Sequence, residues 1–86
     1  MSTYLVAFMV TTNFKIRGDS TYAVITHADV YDYTQFSYVA GEKIIDAYGS
    51  LFNRTYEELG NPLMQMAGSP KFPHNGMENW GLTIYR

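Results

Sequence analysis

A series of apolar residues at helical spacing in the middle of the chain constrains its fold more than any other feature. Its members recur at steps of three or four positions, and they are Phe36, Ala40, Ile44, Ala47 and Leu51. Because a helical turn takes 3.6 residues, these side chains share one face of a helix, predicted over residues 34–52 with Asp32 or Thr34 as N-cap. Gly41 and Gly49 each weaken a helix by up to about 1 kcal/mol relative to Ala. The helix is therefore expected to depend on docking its apolar face.

Short β-strands are predicted on both sides of this helix. Residues 4–10 are nearly continuous apolar sequence, which favours a strand covered on both faces, and Phe14–Ile16 is expected to extend it. The turn cluster Arg17-Gly18-Asp19-Ser20 follows and is the best candidate for a domain boundary. The remaining predicted strands are residues 22–27, 63–67 and 80–85. This order of elements, without an internal repeat, predicts an α+β fold.

The composition excludes several classes of function. Eighty-six residues allow one small domain, and 47% apolar residues are typical of a chain that folds. A net charge of −2 without a basic stripe argues against a nucleic-acid partner. Cys is absent, so neither disulfides nor thiolate metal sites are expected. His27 and His74 are too far apart in sequence for an i, i+4 metal-binding pair, and we identify no metal ligand and no nucleophile–base pair.

Two short features concern the cellular location. Asn53-Arg54-Thr55 is an N-glycosylation sequon placed directly after the predicted helix, where a surface loop is expected. Sequons this short also arise by chance. The apolar residues 5–10 are too few for a membrane span, and the start of the chain has no basic region typical of a signal peptide. Any membrane attachment is therefore expected to come from segments outside this chain.

The last eleven residues carry the most specific motif. They read Gly76-Met77-Glu78-Asn79-Trp80-Gly81-Leu82-Thr83-Ile84-Tyr85-Arg86. From local pattern alone, Asn75-Gly76 is a strong two-residue hairpin signal, because both residues tolerate positive φ. On that interpretation Glu78 is an ordinary solvated residue at the edge of a strand.

This motif resembles the exopeptidase signature of the zinc aminopeptidases of the aminopeptidase N family, Gly-Ala-Met-Glu-Asn-Trp-Gly followed by a strand ending in Tyr-Arg. The opening residues Met1–Phe8 resemble the family's strand Met-Ser-Thr-Tyr-Leu-(Leu/Val)-Ala-Phe, which makes Met1 an internal residue. The helix that contains Lys43–Tyr48 is in the position of the first helix of the family's catalytic domain. The resemblance thus extends over nearly the whole chain.

The resemblance implies an α+β fragment of a larger enzyme. Residues 1–18 would be the end of an N-terminal β domain, and residues 19–86 the beginning of a thermolysin-like catalytic domain. The implied activity is zinc-dependent removal of N-terminal residues from peptides. The zinc ligands, a His-Glu-x-x-His helix and a further Glu, would lie outside this chain, which is expected to be inactive alone. Together with the sequon, the resemblance favours a cell-surface or secreted protein.

The resemblance also assigns roles to individual residues. Glu78 would bind the ammonium group of the substrate, since a carboxylate on a fixed strand gives a charge-assisted hydrogen bond to an amine. Gly76 would lie along the substrate through its backbone, and Met77 beside the pocket for the first residue. Asn79 and Trp80 would support Glu78.

Two departures from the family pattern keep an alternative open. Asn75, counted with the substrate-binding residues, stands where the family has Gly, and its side chain is expected to narrow the substrate groove or alter the turn. The segment 56–65 is longer than the family's Tyr-Pro-Leu-Pro-Lys-Leu-Asp-like segment, and Pro70-Lys71-Phe72 replaces its Pro-Asp-Phe turn. The alternative is a non-catalytic, aminopeptidase-like binding or scaffold protein of the cell surface. A complete small protein is a third interpretation.

Overall fold

A five-stranded mixed β-sheet organises the chain within residues 2–56, 58, 60 and 63–86, which are those that the computed structural model describes. The strands are β1 (Phe14–Gly18), β2 (Tyr22–His27), β3 (Met64–Gly68), β4 (Gly76–Asn79) and β5 (Leu82–Tyr85). One α-helix, α1 (Gln35–Phe52), packs on the sheet within these ranges, and 3₁₀ turns occupy Thr3–Leu5 and Ala28–Thr34. The predicted α+β fold is therefore confirmed.

The strands are ordered β1-β2-β3-β5-β4 across the sheet. The neighbours β2, β3 and β5 run parallel, while β1 and β4 add antiparallel edges. The buried apolar core lies on the three central strands and consists of Tyr22, Ala23, Val24, Ala67 and Leu82. Residues 14–18 hydrogen-bond to β2 in this same sheet, and the domain boundary at residue 18 stays a prediction.

The helix prediction is confirmed, with a start only one residue later than expected. Thr34 occupies the N-cap position, but its side chain does not cap the helix. Its hydroxyl instead donates to the Tyr31 carbonyl at 2.6 Å and accepts from Arg17 Nε at 2.9 Å. At the other end Asn53 adopts a left-handed conformation with φ of 54°, which ends the helix.

The predicted docking face of the helix is wrong. Phe36 and Leu51 are 82% and 71% exposed. The face that meets β2 carries Tyr38 and Gly41 instead: the Tyr22 ring stacks on Tyr38 at 5.2 Å, and its hydroxyl donates to a helix carbonyl at 3.2 Å. A Cβ at Gly41 would overlap this hydroxyl. The buried Tyr22 therefore selects the face of the helix at which a glycine leaves room for it.

Replacement of Gly41 by Ala is expected to destabilise the protein, although Ala is the better helix former. The methyl group has no space beside the buried Tyr22, and overpacking of this kind costs about 1 to 3 kcal/mol. Gly49→Ala is the control, because the one contact that a Cβ there makes with the described residues is the Arg54 carbonyl oxygen at 3.4 Å. This control should be neutral or gain up to about 1 kcal/mol in urea unfolding. Equal effects of the two substitutions would contradict the packing described.

The predicted strand over residues 4–10 is wrong. Thr3–Leu5 forms a 3₁₀ turn, the residues after it are irregular, and Phe8 is 86% exposed. A strand requires a paired neighbour. In the described part of the chain, this segment accepts hydrogen bonds from other segments only from Asn79 and Trp80.

The strand predictions for residues 22–27 and 63–67 are confirmed with small shifts. Residues 22–27 match β2, and β3 begins one residue later than expected. Arg17 and Gly18 belong to β1, so the turn that follows begins at Asp19. Within the divergent segment 56–65, the positions 57, 59, 61 and 62 lie outside the described residues, as does Met1.

The turn between β1 and β2 is held by the Asp19 carboxylate. One of its oxygens accepts the Thr21 and Tyr22 N–H groups at 2.8 and 3.0 Å and the Thr21 hydroxyl at 2.8 Å. These hydrogen bonds, led by that of the Thr21 N–H, lower the pKa of Asp19 below its ordinary value of 3.8. The folded pKa lies below the unfolded one, so the stabilisation is present above the unfolded pKa and is lost as pH falls through the folded pKa.

Asp19→Asn is therefore expected to lower the melting temperature at neutral pH but not at strongly acidic pH. The amide keeps an acceptor oxygen and loses the charge that strengthens these bonds. Melting temperatures of both forms between pH 2 and pH 7 test this point. A difference that does not shrink as the pH falls would show that the charge contributes nothing.

Candidate functional site

The signature residues form a β-hairpin made of β4 and β5. Asn79 pairs with Leu82, so Trp80 and Gly81 make the two-residue turn, with Gly81 at a φ of 77°. The predicted turn at Asn75-Gly76 is wrong, since neither residue is among those with positive φ. The prediction of one strand over residues 80–85 did not include β4. The alternating pattern of these residues concealed the turn at Trp80-Gly81, in which the glycine supplies the positive φ.

The outer edge of β4 is open in the part of the chain that the structure describes. Arg86 N–H donates to the Asn75 carbonyl at 3.2 Å, which makes these two residues a hydrogen-bonded pair. Because hydrogen-bonded and non-hydrogen-bonded pairs alternate in antiparallel strands, Gly76 and Glu78 occupy the non-hydrogen-bonded positions. Their backbone N–H and C=O groups therefore point away from β5, where an extended chain can pair with them.

The side chain of Glu78 is exposed beside this open edge. Its cross-strand partner is Thr83, and Gly76 faces Tyr85 on the same side of the sheet as α1. Among the described residues, no hydrogen bond or ion pair engages the Glu78 carboxylate. It is therefore free to accept hydrogen bonds from a cationic group.

Met77 lies on the opposite face of β4 from Glu78, because successive side chains of a strand alternate. It is half-buried, with Ile84 as its cross-strand partner. The two side chains therefore flank the open edge from opposite sides. The expected position of Met77 beside a pocket for the first residue of the substrate stays a prediction.

Asn79 and Trp80 fasten the far end of β4 to the opening segment of the chain. Asn79 is buried, and its amide donates to the Tyr4 carbonyl at 2.7 Å. The Trp80 N–H donates to the Leu5 carbonyl at 2.8 Å, while its indole is mostly exposed. Both contacts lie within two residues of Glu78 in the chain, and the predicted supporting role of Asn79 and Trp80 stays a prediction.

An apolar groove of about 770 Å³ lies between α1 and the sheet. It was not predicted from the sequence. Its lining includes Ala40, Ile44, Tyr48, Met64, Met66 and Tyr85. The signal was present in the apolar series on the helix, which was expected to form core contacts. Since Tyr85 lies on the face of the sheet that carries Glu78, the groove opens on the same side as this carboxylate.

No group of three His, Cys, Asp or Glu side chains suitable for a metal ion occurs within the described ranges. His27 Nδ1 lies 3.3 Å from Asp29 Oδ2, and His74 packs edge-on against Phe72. The residues described here therefore do not fit a zinc site. The predicted sequon residue Asn53 is exposed at the helix end, and its glycosylation stays a prediction.

No helix of the described residues is both long and apolar enough to cross a membrane.

Comparison with known proteins gives a consistent set of relatives. No protein-family model matches the chain. Endoplasmic reticulum aminopeptidase 2 of Bos taurus is 31% identical over 90 positions, and endoplasmic reticulum aminopeptidase 1 of Mus musculus is 34% identical over 91. Aminopeptidase N of Haemonchus contortus is 32% identical over 92 positions. Each alignment covers 100% of this chain.

The chain resembles a segment of these aminopeptidases. It spans only 9% of the length of each of the three relatives. The resemblance to the aminopeptidase N family, drawn from motifs at both ends of the chain, is thereby confirmed over the whole chain. The aminopeptidase-like segment includes both the open edge of β4 and the exposed Glu78.

Proposed function

We propose that this chain contributes the segment of a zinc-dependent aminopeptidase that holds the free amino terminus of a peptide. The observation that carries the proposal is the exposed Glu78 carboxylate beside the open edge of β4, without a partner among the described residues. The similarity of the whole chain to aminopeptidases supports it.

The geometry of β4 suits the binding of an extended peptide. Gly76 and Glu78 offer unpaired backbone groups along the edge, and main-chain hydrogen bonds to an added strand provide affinity for any sequence. Gly76 has no side chain to obstruct the approach of the peptide. The Glu78 carboxylate accepts charge-assisted hydrogen bonds from the terminal ammonium group. The amino terminus of the peptide is then fixed, so the distance from this terminus determines which peptide bond is presented for cleavage.

The remaining parts of the proposal concern the intact protein. Zinc is held by residues outside this chain, as the resemblance of the signature to the zinc aminopeptidases implies. Residues 1–18 are the end of an N-terminal β domain, and residues 19–86 begin a thermolysin-like catalytic domain. The protein is located at the cell surface or secreted, with Asn53 glycosylated. The substrates are peptides with a free amino terminus.

The experiment compares two peptides that differ only at the amino terminus. The intact protein is incubated with a peptide bearing a free amine and with its N-acetylated form, and released amino acids are measured. We expect stepwise release from the free peptide and none from the acetylated one. Equal cleavage of both would contradict the proposal. Binding of the free peptide without cleavage would favour the non-catalytic, aminopeptidase-like binding protein.

A further inference from the structure

The open end of the β4–β5 hairpin is closed by a side-chain contact between Asn75 and Arg86. Arg86 Nη2 donates to the Asn75 side-chain oxygen at 2.8 Å, next to the backbone bond from Arg86 N–H to the Asn75 carbonyl. Both side chains are exposed, and neither makes another side-chain hydrogen bond among the described residues. A glycine at position 75, as in the family signature, has no side chain to make this contact.

The position of this contact matters because β4 is short and lies at an edge. The strand has four residues and one neighbour in the described part of the chain, and edge strands of this kind fray at their ends. Its far end is fastened by Asn79 and Trp80 to the opening segment. Its near end begins at Gly76, which has no side chain of its own to fix it. Asn75 and Arg86 thus hold the end of β4 that the other contacts leave free.

We propose that Asn75 and Arg86 are a positioning pair that keeps Gly76–Glu78 in register for binding a substrate amino terminus. The inference rests on the proposed function. It gives Asn75 a positioning role, in which its side chain orders β4, in place of the substrate-binding role expected from the sequence. The Asn75 side-chain oxygen is occupied by a guanidinium N–H, which donates in a fixed planar geometry. A peptide amine at Glu78 therefore meets a strand edge that is already ordered.

The test uses the intact protein and the variants Asn75→Gly, Arg86→Ala, their double variant and Asn75→Asp. Asn75→Gly and Arg86→Ala should each lower kcat/KM for a peptide with a free amine about 5-fold, the effect expected from one lost hydrogen bond. The double variant should show the same loss as either single variant, because both remove one interaction. Asn75→Asp keeps an acceptor for Arg86 and should restore kcat/KM. Lys71→Ala, at an exposed cation in the preceding turn, is the control and should leave it unchanged.

Amide hydrogen exchange of Met77 and Asn79, whose N–H groups face β5, provides a readout independent of activity when it is measured without substrate. Exchange should be about 5-fold faster in Asn75→Gly and Arg86→Ala, and normal in Asn75→Asp. Unchanged exchange rates in the single variants would show that the contact between Asn75 and Arg86 does not order β4. Faster exchange with unchanged kcat/KM would overturn its role in substrate positioning. Failure of the proposed function itself would appear separately, as an unaltered kcat/KM when Glu78 is replaced by Gln.

Discussion

Replacement of Glu78 by Gln in the intact protein is expected to lower kcat/KM for peptides with a free amino terminus about 10- to 100-fold. Gln keeps the length and one acceptor oxygen of the side chain but loses the negative charge. A hydrogen bond to a charged group contributes about 1.5 to 3 kcal/mol, and a loss of about 1.4 to 2.7 kcal/mol corresponds to the expected range. The carboxylate is exposed and has no partner among the described residues, so the substitution should leave the fold intact. Steady-state kinetics with an aminoacyl anilide measures the effect.

Glu42→Gln is the matched control for this prediction. Glu42 is an exposed carboxylate on α1, and the substitution makes the same chemical change away from the edge of β4. Its kcat/KM should stay within a factor of two of the original value, the size typical of a surface substitution. Equal losses of kcat/KM in Glu78→Gln and Glu42→Gln would mean that the total charge of the protein, and not the position of Glu78, causes the effect. An unchanged kcat/KM in Glu78→Gln would refute the assignment of this residue.

Replacement of Gly18 by Ala is expected to have the largest effect on stability, with a loss of about 3 kcal/mol or more. Gly18 ends β1 with a φ of 148°, in a region that other residues rarely adopt. A Cβ there would also lie 2.5 Å from the Ala23 Cα and overlap the Tyr22 carbonyl oxygen. Both neighbours are backbone atoms of β2, in the core of the sheet, so they cannot move aside cheaply.

Gly60→Ala separates the two causes of this loss. Gly60 also has a positive φ, 89°, but no atom of the described residues would lie within 4 Å of a Cβ at this position. Its substitution should therefore cost only the conformational part, about 1 kcal/mol. Urea unfolding of the two variants gives the comparison. If both variants lose the same stability, the close approach of β1 to β2 at Gly18 contributes nothing.

Local patterns in the sequence were enough to predict most elements but not how they pack. The helix from Gln35 to Phe52 followed from apolar spacing, and β2 from its β-branched and aromatic residues. The docking face of the helix could not be found this way. It depends on Tyr22, which lies 19 residues before Gly41 in the chain and meets it only after folding. Periodicity reports which residues are apolar, whereas steric fit decides which face is buried.

The candidate site shows the same limit at a smaller scale. The signature identified Glu78 through the resemblance, but a motif does not show which edge of the sheet is left open. That edge exists because Trp80-Gly81 forms a turn and pairs β4 with β5 at the margin of the sheet. The contact between Asn75 and Arg86 also follows from this register, which sets the two residues opposite each other across the hairpin. Register depends on turn geometry and long-range pairing, so it had to be seen in the structure.

A crystal structure of the intact protein with a bound, non-hydrolysable peptide that has a free amino terminus would show where the terminal amine binds. We expect the peptide to lie along the open edge of β4, with its terminal nitrogen about 2.7 to 2.9 Å from a Glu78 carboxylate oxygen. A peptide whose terminal amine binds elsewhere, with Glu78 still solvated, would show that Glu78 does not hold the amino terminus.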